Sequence, residues 1–184
     1  VGEHCKYPTE ICMSLHPASD YIIRHGFGRP ADVVELKEQL ARAKELGLVQ
    51  IADNVQQRPS YICNCCGCHC AQLRAISQFG LKQAVRTTSR IAHVDEERCV
   101  GCGRCMRACP IGAISLHKLP PAGGEPGRAV AQVDEEICLG CAVCHARCNK
   151  DGLSFPAREE RVARPEAAEM AGIPRVIFLD LCAE

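Results

Sequence analysis

The feature that most limits how this chain can fold is a cysteine run that occurs twice. Residues 92–109 read AHVDEERCVGCGRCMRAC and residues 131–148 read AQVDEEICLGCAVCHARC, with 10 of 18 positions identical at a constant offset of 39. The match continues past the last cysteine, where Ile114, Ser115 and Leu116 align with Leu153, Ser154 and Phe155. A unit repeated in this way should fold the same way twice. Each copy reads as a short apolar-alternating strand (91–94, 129–133), an Asp-Glu-Glu turn, the cysteine run and a second short strand (114–116, 153–155). The Pro- and Gly-dense stretch 119–128, LPPAGGEPGR, is an exposed connection between the copies. Strands this short do not fold unaided. Three Tyr, four Phe and no Trp in 184 residues leave a lean core, so the 16 cysteines must supply cohesion, as disulfides or as metal ligands.

Spacing decides between these. Cys99, Cys102, Cys105 and Cys109 form C-x2-C-x2-C-x3-C followed by Pro110, and Cys138, Cys141, Cys144 and Cys148 repeat it with Asn149 in place of the proline. A structural zinc site takes two separated C-x2-C pairs, whereas four cysteines compressed into one run suit a [4Fe–4S] cubane. Three of the thiolates wrap a loop around one face of the cube, and the fourth points away, toward a partner cluster. Residues 90–156 thus resemble the two-cluster bacterial-type ferredoxins. The resemblance implies one cluster on Cys99, Cys102, Cys105 and Cys148, and another on Cys138, Cys141, Cys144 and Cys109. It places Gly101 and Gly140 where a side chain would crowd the cluster. Val100, Ile111, Ile114, Leu139 and Val143 become the apolar shell. Asn149 and the long connection depart from the family pattern without touching a ligand.

The expected fold class is therefore α+β. Residues 91–156 form a pseudo-twofold, two-cluster ferredoxin-like domain of short β-hairpins and helices. A mostly helical, cysteine-rich region, 1–90, precedes it and an extension, 157–184, follows. In the first region Val33, Leu36, Leu40, Ala43 and Leu46 recur at helical spacing, giving a helix over 31–47 with Pro30 outside its start and Gly47 at its stop. Residues 17–25 and 72–79 are shorter helices ending at Gly26 and Gly80. The apolar segment 174–182, PRVIFLDLC, is expected to pack on the N-terminal region or on a partner.

Between these helices stands Cys63-Asn64-Cys65-Cys66-Gly67-Cys68-His69-Cys70. Adjacent Cys65 and Cys66 point in different directions and should not serve one cluster together. Cys63, Cys66 and Cys70 repeat the spacing of Cys102, Cys105 and Cys109, so they suit a third cubane with Cys12 as the distant fourth ligand. Cys5, Cys65 and Cys68 are the alternative ligands, and zinc binding or a redox-active or sulfur-trafficking patch are the competing uses. Eight cysteines lie outside the two runs, which leaves room for a fourth site. His69 is read as a hydrogen-bond donor to cluster sulfur ahead of being a ligand, and His145 as a residue lying against the ligands. The stretch 26–30, GFGRP, lacks the third glycine and preceding strand of a phosphate loop. No Ser–His–acid set or catalytic carboxylate pair appears, so no catalytic residue is expected in this chain.

Lys+Arg and Asp+Glu balance at 22 each, which excludes the basic stripe of a nucleic-acid binder. No apolar run reaches the length of a membrane span, and the start shows no signal-peptide pattern, which points to the cytoplasm. Val1 is not an initiator Met, so the natural start is expected upstream. The succession EHC, ICMSL, DYIIRHGFGR, ELGLV and ICNCCGCHC ahead of the ferredoxin pair resembles anaerobic iron–sulfur subunits of larger redox enzymes. Among them it is similar to the ferredoxin-like subunit of ATP-independent (class II) benzoyl-CoA reductase. That resemblance implies a larger catalytic oxidoreductase partner, a tungsten-pterin subunit of the aldehyde oxidoreductase family, and exchange with other electron-transfer proteins. The function expected is electron transfer through a chain of [4Fe–4S] clusters. Two other readings are a diffusible polyferredoxin, against which the zero net charge argues because steering benefits from charge, and an iron–sulfur redox sensor or interaction protein responding through residues 63–70.

Overall fold

A computed structural model describes residues 5–8, 10–15, 17–53, 59–82, 84–85, 89–121, 127–157 and 176–177. The three expected helices are present as α1 (Pro17–Arg24), α2 (Val33–Leu46) and α3 (Ala71–Ser77). Local chemistry sets the bounds of α2. The Asp32 carboxylate accepts the Glu35 N–H at 2.9 Å, satisfying one of the orphan donors of the first turn. At the other end Gly47 takes φ 77°, a left-handed conformation in which glycine carries no Cβ penalty.

Among its described residues, the region before residue 91 also carries a sheet beside these helices. It contains β1 (Met13–Ser14), β2 (Val49–Asp53) and β3 (Tyr61–Cys65), and these join a strand from the C-terminal extension, Val176–Ile177, in a sheet of order β1-β3-β2-β8, where β8 is that last strand and β4 to β7 are defined below. The pairings are antiparallel, with Met13 opposite Ile62, Ile51 opposite Cys63 and Ala52 opposite Ile177. Apolar periodicity misses this sheet because β3, YICNC, is rich in cysteine, and cysteine reads equally as core or as ligand. The expected packing of 174–182 onto the N-terminal region is met at Val176 and Ile177; Cys182 and the remainder of that segment lie outside the described residues.

The duplicated unit folds as β4 (His93–Val94), α4 (Arg104–Ala108), β5 (Ile114–Lys118), β6 (Ala129–Val133), a 3-10 turn (His145–Arg147) and β7 (Leu153–Ser154). The copies exchange partners. β4 of the first pairs with β7 of the second, and β5 of the first with β6 of the second. The offset of 39 survives in detail: His93 faces Ser154 as Gln132 faces Ser115, and Val94 faces Leu153 as Val133 faces Ile114. The Asp95 N–H donates to Gly152 C=O at 3.0 Å, and the Asp134 N–H to Ala113 C=O at 2.8 Å. Asp95 and Asp134 each accept the N–H two residues on at 3.0 Å, closing the same turn twice. Left-handed backbone recurs at Gly101 and Gly140, at Gly103 and Ala142, and at Gly112 and Asp151.

One core serves both halves. Val49 and Ile51 of β2 and Leu73 and Ile76 of α3 join Ile111, Ala113, Ile114, Leu139, Val143 and Leu153 in a single buried cluster. Ile111, Ile114, Leu139 and Val143 lie inside, and Val100, though 60% exposed, lines a cavity with Cys99, Cys102, Cys105 and Cys148. The halves are also tied by polar contacts, since the Arg147 guanidinium donates to Glu45 C=O at 3.3 Å, at the C-terminal end of α2. His145 packs edge-on against the Phe155 ring, 5.9 Å between centroids.

Candidate metal centres

Partner exchange between the copies also sorts their cysteines. Cys99, Cys102, Cys105 and Cys148 line one cavity, walled by Val94, Gly101 and Leu153. Cys109 lies instead among Cys138, Cys141 and Cys144, near enough for charge on Cys138 to act on the Cys109, Cys141 and Cys144 thiols. Cys148 of the second run thus lies with the first run's cysteines, and Cys109 of the first run with those of the second. Cys144 also feels Cys105, so the two sets are neighbours.

The second set is the drier. Cys138 and Cys144 are buried, while Cys102 is exposed. Burial pushes Cys141 up to about 12 and raises Cys144 and Cys109 as well. A thiol that resists ionisation becomes a ligand only when a bound cation compensates the thiolate charge. Backbone donors assist: the Ala113 N–H points at Cys109 Sγ at 3.2 Å and the Ala131 N–H at Cys99 Sγ at 3.3 Å. Such donors to cluster sulfurs help set reduction potentials. Gly101 is also required by the backbone: its φ is 63°, and a Cβ there would lie 2.3 Å from Ala129 O.

The segment 63–70 divides between two sites. Strand periodicity puts Cys63 and Cys65 on one face of β3 and Asn64 on the other. Asn64 is buried, and its Nδ2 donates to Ile11 C=O at 2.6 Å. On the cysteine face, Cys12 (just before β1, which pairs with β3) and Cys70 (at the start of α3) complete a quartet. The Cys12 and Cys65 thiols share protons with Cys63, and Cys65 also with Cys70. These bonds push Cys63 down to about 3 and Cys70 down to about 6, and raise Cys12 and Cys65. Four thiols are therefore gathered together, those of Cys63, Cys65 and Cys70 against the core, a donor set whose chemistry fits a cationic centre.

Cys66 is elsewhere. Its ligand atom and those of Cys5, Cys68 and His69 all lie within 4.8 Å of one another. The set expected from spacing, Cys12, Cys63, Cys66 and Cys70, thus appears with Cys65 in the place of Cys66, because a strand alternates its side chains while the spacing argument assumes a loop. Cys65 and Cys66 do diverge as adjacent residues. His69, expected as a donor to sulfur, sits at ligand distance in this second group. No disulfide joins the described cysteines.

Comparison with known proteins bears on the duplicated unit. The family model of the 4Fe-4S dicluster domain matches residues 98–151. Over 36 residues the chain is 50% identical to the translation initiation factor rli1 of Schizosaccharomyces pombe and to Protein Pixie of Drosophila melanogaster, which is 20% of this chain and 6% of each of those proteins. Over a stretch of the same length it is 39% identical to one component of the ion-translocating oxidoreductase complex of Serratia proteamaculans, 20% of this chain and 19% of that protein. The chain therefore spans only a small fraction of the curated relatives it matches. Residues 98–151 are a 4Fe–4S ferredoxin-type domain, and the chain carries [4Fe–4S] clusters. No helix among the described residues is long and apolar enough to cross a membrane.

Proposed function

We propose that this chain is the electron-transfer subunit of a larger oxidoreductase, folded around a two-cluster ferredoxin-like unit, with three cubane sites: Cys99, Cys102, Cys105 and Cys148; Cys138, Cys141, Cys144 and Cys109; and Cys12, Cys63, Cys65 and Cys70. The observation that carries this reading is the crossing of Cys109 and Cys148 into each other's sets. When bound, a [4Fe–4S] cubane supplies a one-electron couple with little change of geometry. The chain's own residues do the rest. Ile111, Leu139 and Val143 keep water from the inner set, and the Ala113 and Ala131 N–H groups stabilise thiolate charge at Cys109 and Cys99. The N-terminal patch approaches the unit at Pro110, next to Cys109, because a Cβ on Gly67 would meet Pro110 O at 2.3 Å. Cys63, Cys65 and Cys70 of the quartet pack against the same core as Cys138 and Cys144, while Cys102 is exposed.

A subunit rather than a diffusible carrier is supported by large apolar side chains left in solvent. Phe27 is 74% and Phe79 71% exposed, with Tyr21, Val33 and Val34 also exposed on α1 and α2. The specific form of the proposal, a cytoplasmic ferredoxin-like subunit serving a tungsten-pterin partner such as class II benzoyl-CoA reductase, rests on the N-terminal motifs alone. Anaerobic native purification tests the function: a stoichiometric catalytic partner and about twelve iron and twelve sulfide per chain are expected. A monomer that reduces many unrelated acceptors would refute the subunit reading, and about eight iron per chain would remove the third site.

A further inference from the structure

The four ligands left over by the cubane sets have a geometry of their own. Cys5 Sγ lies 3.8 Å from Cys66 Sγ and 3.8 Å from Cys68 Sγ. A tetrahedral zinc with Zn–S bonds of about 2.3 Å holds its thiolates about 3.8 Å apart. A cubane carries each thiolate on a different corner iron and spreads them to roughly 6 Å. The third pair, Cys66 and Cys68, is closer, at 2.8 Å. That is well beyond the roughly 2.05 Å of a disulfide, and Cys68 is exposed, so its side chain has room to open by about an ångström to the tetrahedral edge. The fourth ligand is independent support. His69 Nδ1 is buried and has no hydrogen-bond partner among the described residues, a state that costs about 1–3 kcal/mol unless something fills it.

We propose that Cys5, Cys66, Cys68 and His69 bind one zinc ion in a closed tetrahedral site separate from the cubanes. Three thiolates and one imidazole are a zinc donor set, and four protein ligands leave no open position for chemistry. The role is structural. The ion joins the chain around Cys5 to the loop 66–69, and Gly67 at the centre of that loop rests on Pro110 beside Cys109. Binding exchanges thiol protons for the cation and involves no change of redox state. The inference does not depend on the electron-transfer reading, since it concerns residues that no cubane set uses.

The test is elemental analysis of the full chain, expressed with zinc in the medium and purified anaerobically. One zinc per chain is expected, alongside the cluster iron and sulfide. Cys5→Ser and His69→Ala should each lose most of the zinc with iron, sulfide and cluster absorbance unchanged. His69→Cys, which restores four ligands, should keep it and guards against a variant that merely misfolds. Cobalt substituted for zinc should show the visible bands of a tetrahedral thiolate site, weakened in Cys5→Ser. Wild-type protein without zinc, sulfide-free iron at this site, parallel loss of iron and zinc in Cys5→Ser, or a Cys66–Cys68 disulfide found by mass spectrometry would each overturn the proposal.

Discussion

Three glycines separate the two costs that a side chain can impose here, and substituting each by alanine tests the packing of the molecule. Gly112 has φ 73° with nothing within 4 Å of an added Cβ. Gly112→Ala should therefore cost only the left-handed conformation, about 1–2 kcal/mol. Gly67 has no such backbone constraint, but its Cβ would fall 2.3 Å from Pro110 O and 3.1 Å from Pro110 Cα. That contact is about an ångström inside van der Waals distance, and it meets backbone that cannot swing aside. Gly67→Ala should cost about 1–3 kcal/mol, the range for overpacking. Gly101 combines φ 63° with a Cβ 2.3 Å from Ala129 O, so Gly101→Ala should cost about 2–5 kcal/mol. Total stability of a domain is about 5–15 kcal/mol.

Because bound clusters break two-state unfolding, the suitable readout is the temperature at which cluster absorbance bleaches, under anaerobic conditions and at one heating rate. About 2–4 °C per kcal/mol is expected for a chain of this size. Gly101→Ala should fall furthest, with Gly67→Ala and Gly112→Ala above it. Gly67→Ala should in addition expose the N-terminal patch to protease while leaving 98–151 intact. If Gly67→Ala behaves as wild type in both assays, the patch does not sit against Pro110. If Gly112→Ala bleaches as early as Gly101→Ala, the clash carries no cost and the reasoning fails.

Ala142 sits at φ 56° where its repeat partner is Gly103, so Ala142→Gly should be neutral or stabilise by up to about 1 kcal/mol, read as a higher bleaching temperature. Asp32→Ala should destabilise by about 1 kcal/mol through loss of the α2 cap, and Asp32→Asn, which still accepts the Glu35 N–H, should recover most of it in a denaturant titration. Cys65→Ser should remove about four iron per chain and keep the zinc, whereas Cys66→Ser should remove the zinc and keep the iron, as read by elemental analysis.

Sequence reaches furthest where chemistry forces spacing. The offset of 39 announces the symmetry, and the strand positions and the Asp turns follow from it, while the grouping of Cys109 and Cys148 comes only through the ferredoxin resemblance. α2 is legible because its apolar period, Asp32 cap and Gly47 stop are all local signals. The N-terminal sheet is not. Its longest strands pair Val49–Asp53 with Tyr61–Cys65 across a connection without the glycine of a tight hairpin, and its fourth strand comes from the far end of the chain. The same gap misassigns Cys65 and Cys66. Choosing between them needs to know whether residues 63–65 are strand or loop, and cysteine content hides that. Gly101 shows a subtler limit: the ferredoxin resemblance marks a glycine there, but the clash a Cβ would make with Ala129 O, across in the other repeat, is not visible in the sequence.

Symmetry of the backbone does not carry over to the surroundings. The two copies repeat their turns and left-handed positions, yet the second keeps Ala142 and Asp151 where the first has glycine. Their ligand sets differ more. Both sets pack against the one shared core, and they differ in that Cys138 and Cys144 of the second are buried while Cys102 of the first is exposed. Burial and hydrogen bonding to sulfur are the protein's means of tuning such clusters. The strand that presents Cys63 and Cys65 to that core is also the strand that buries Asn64 on its other face.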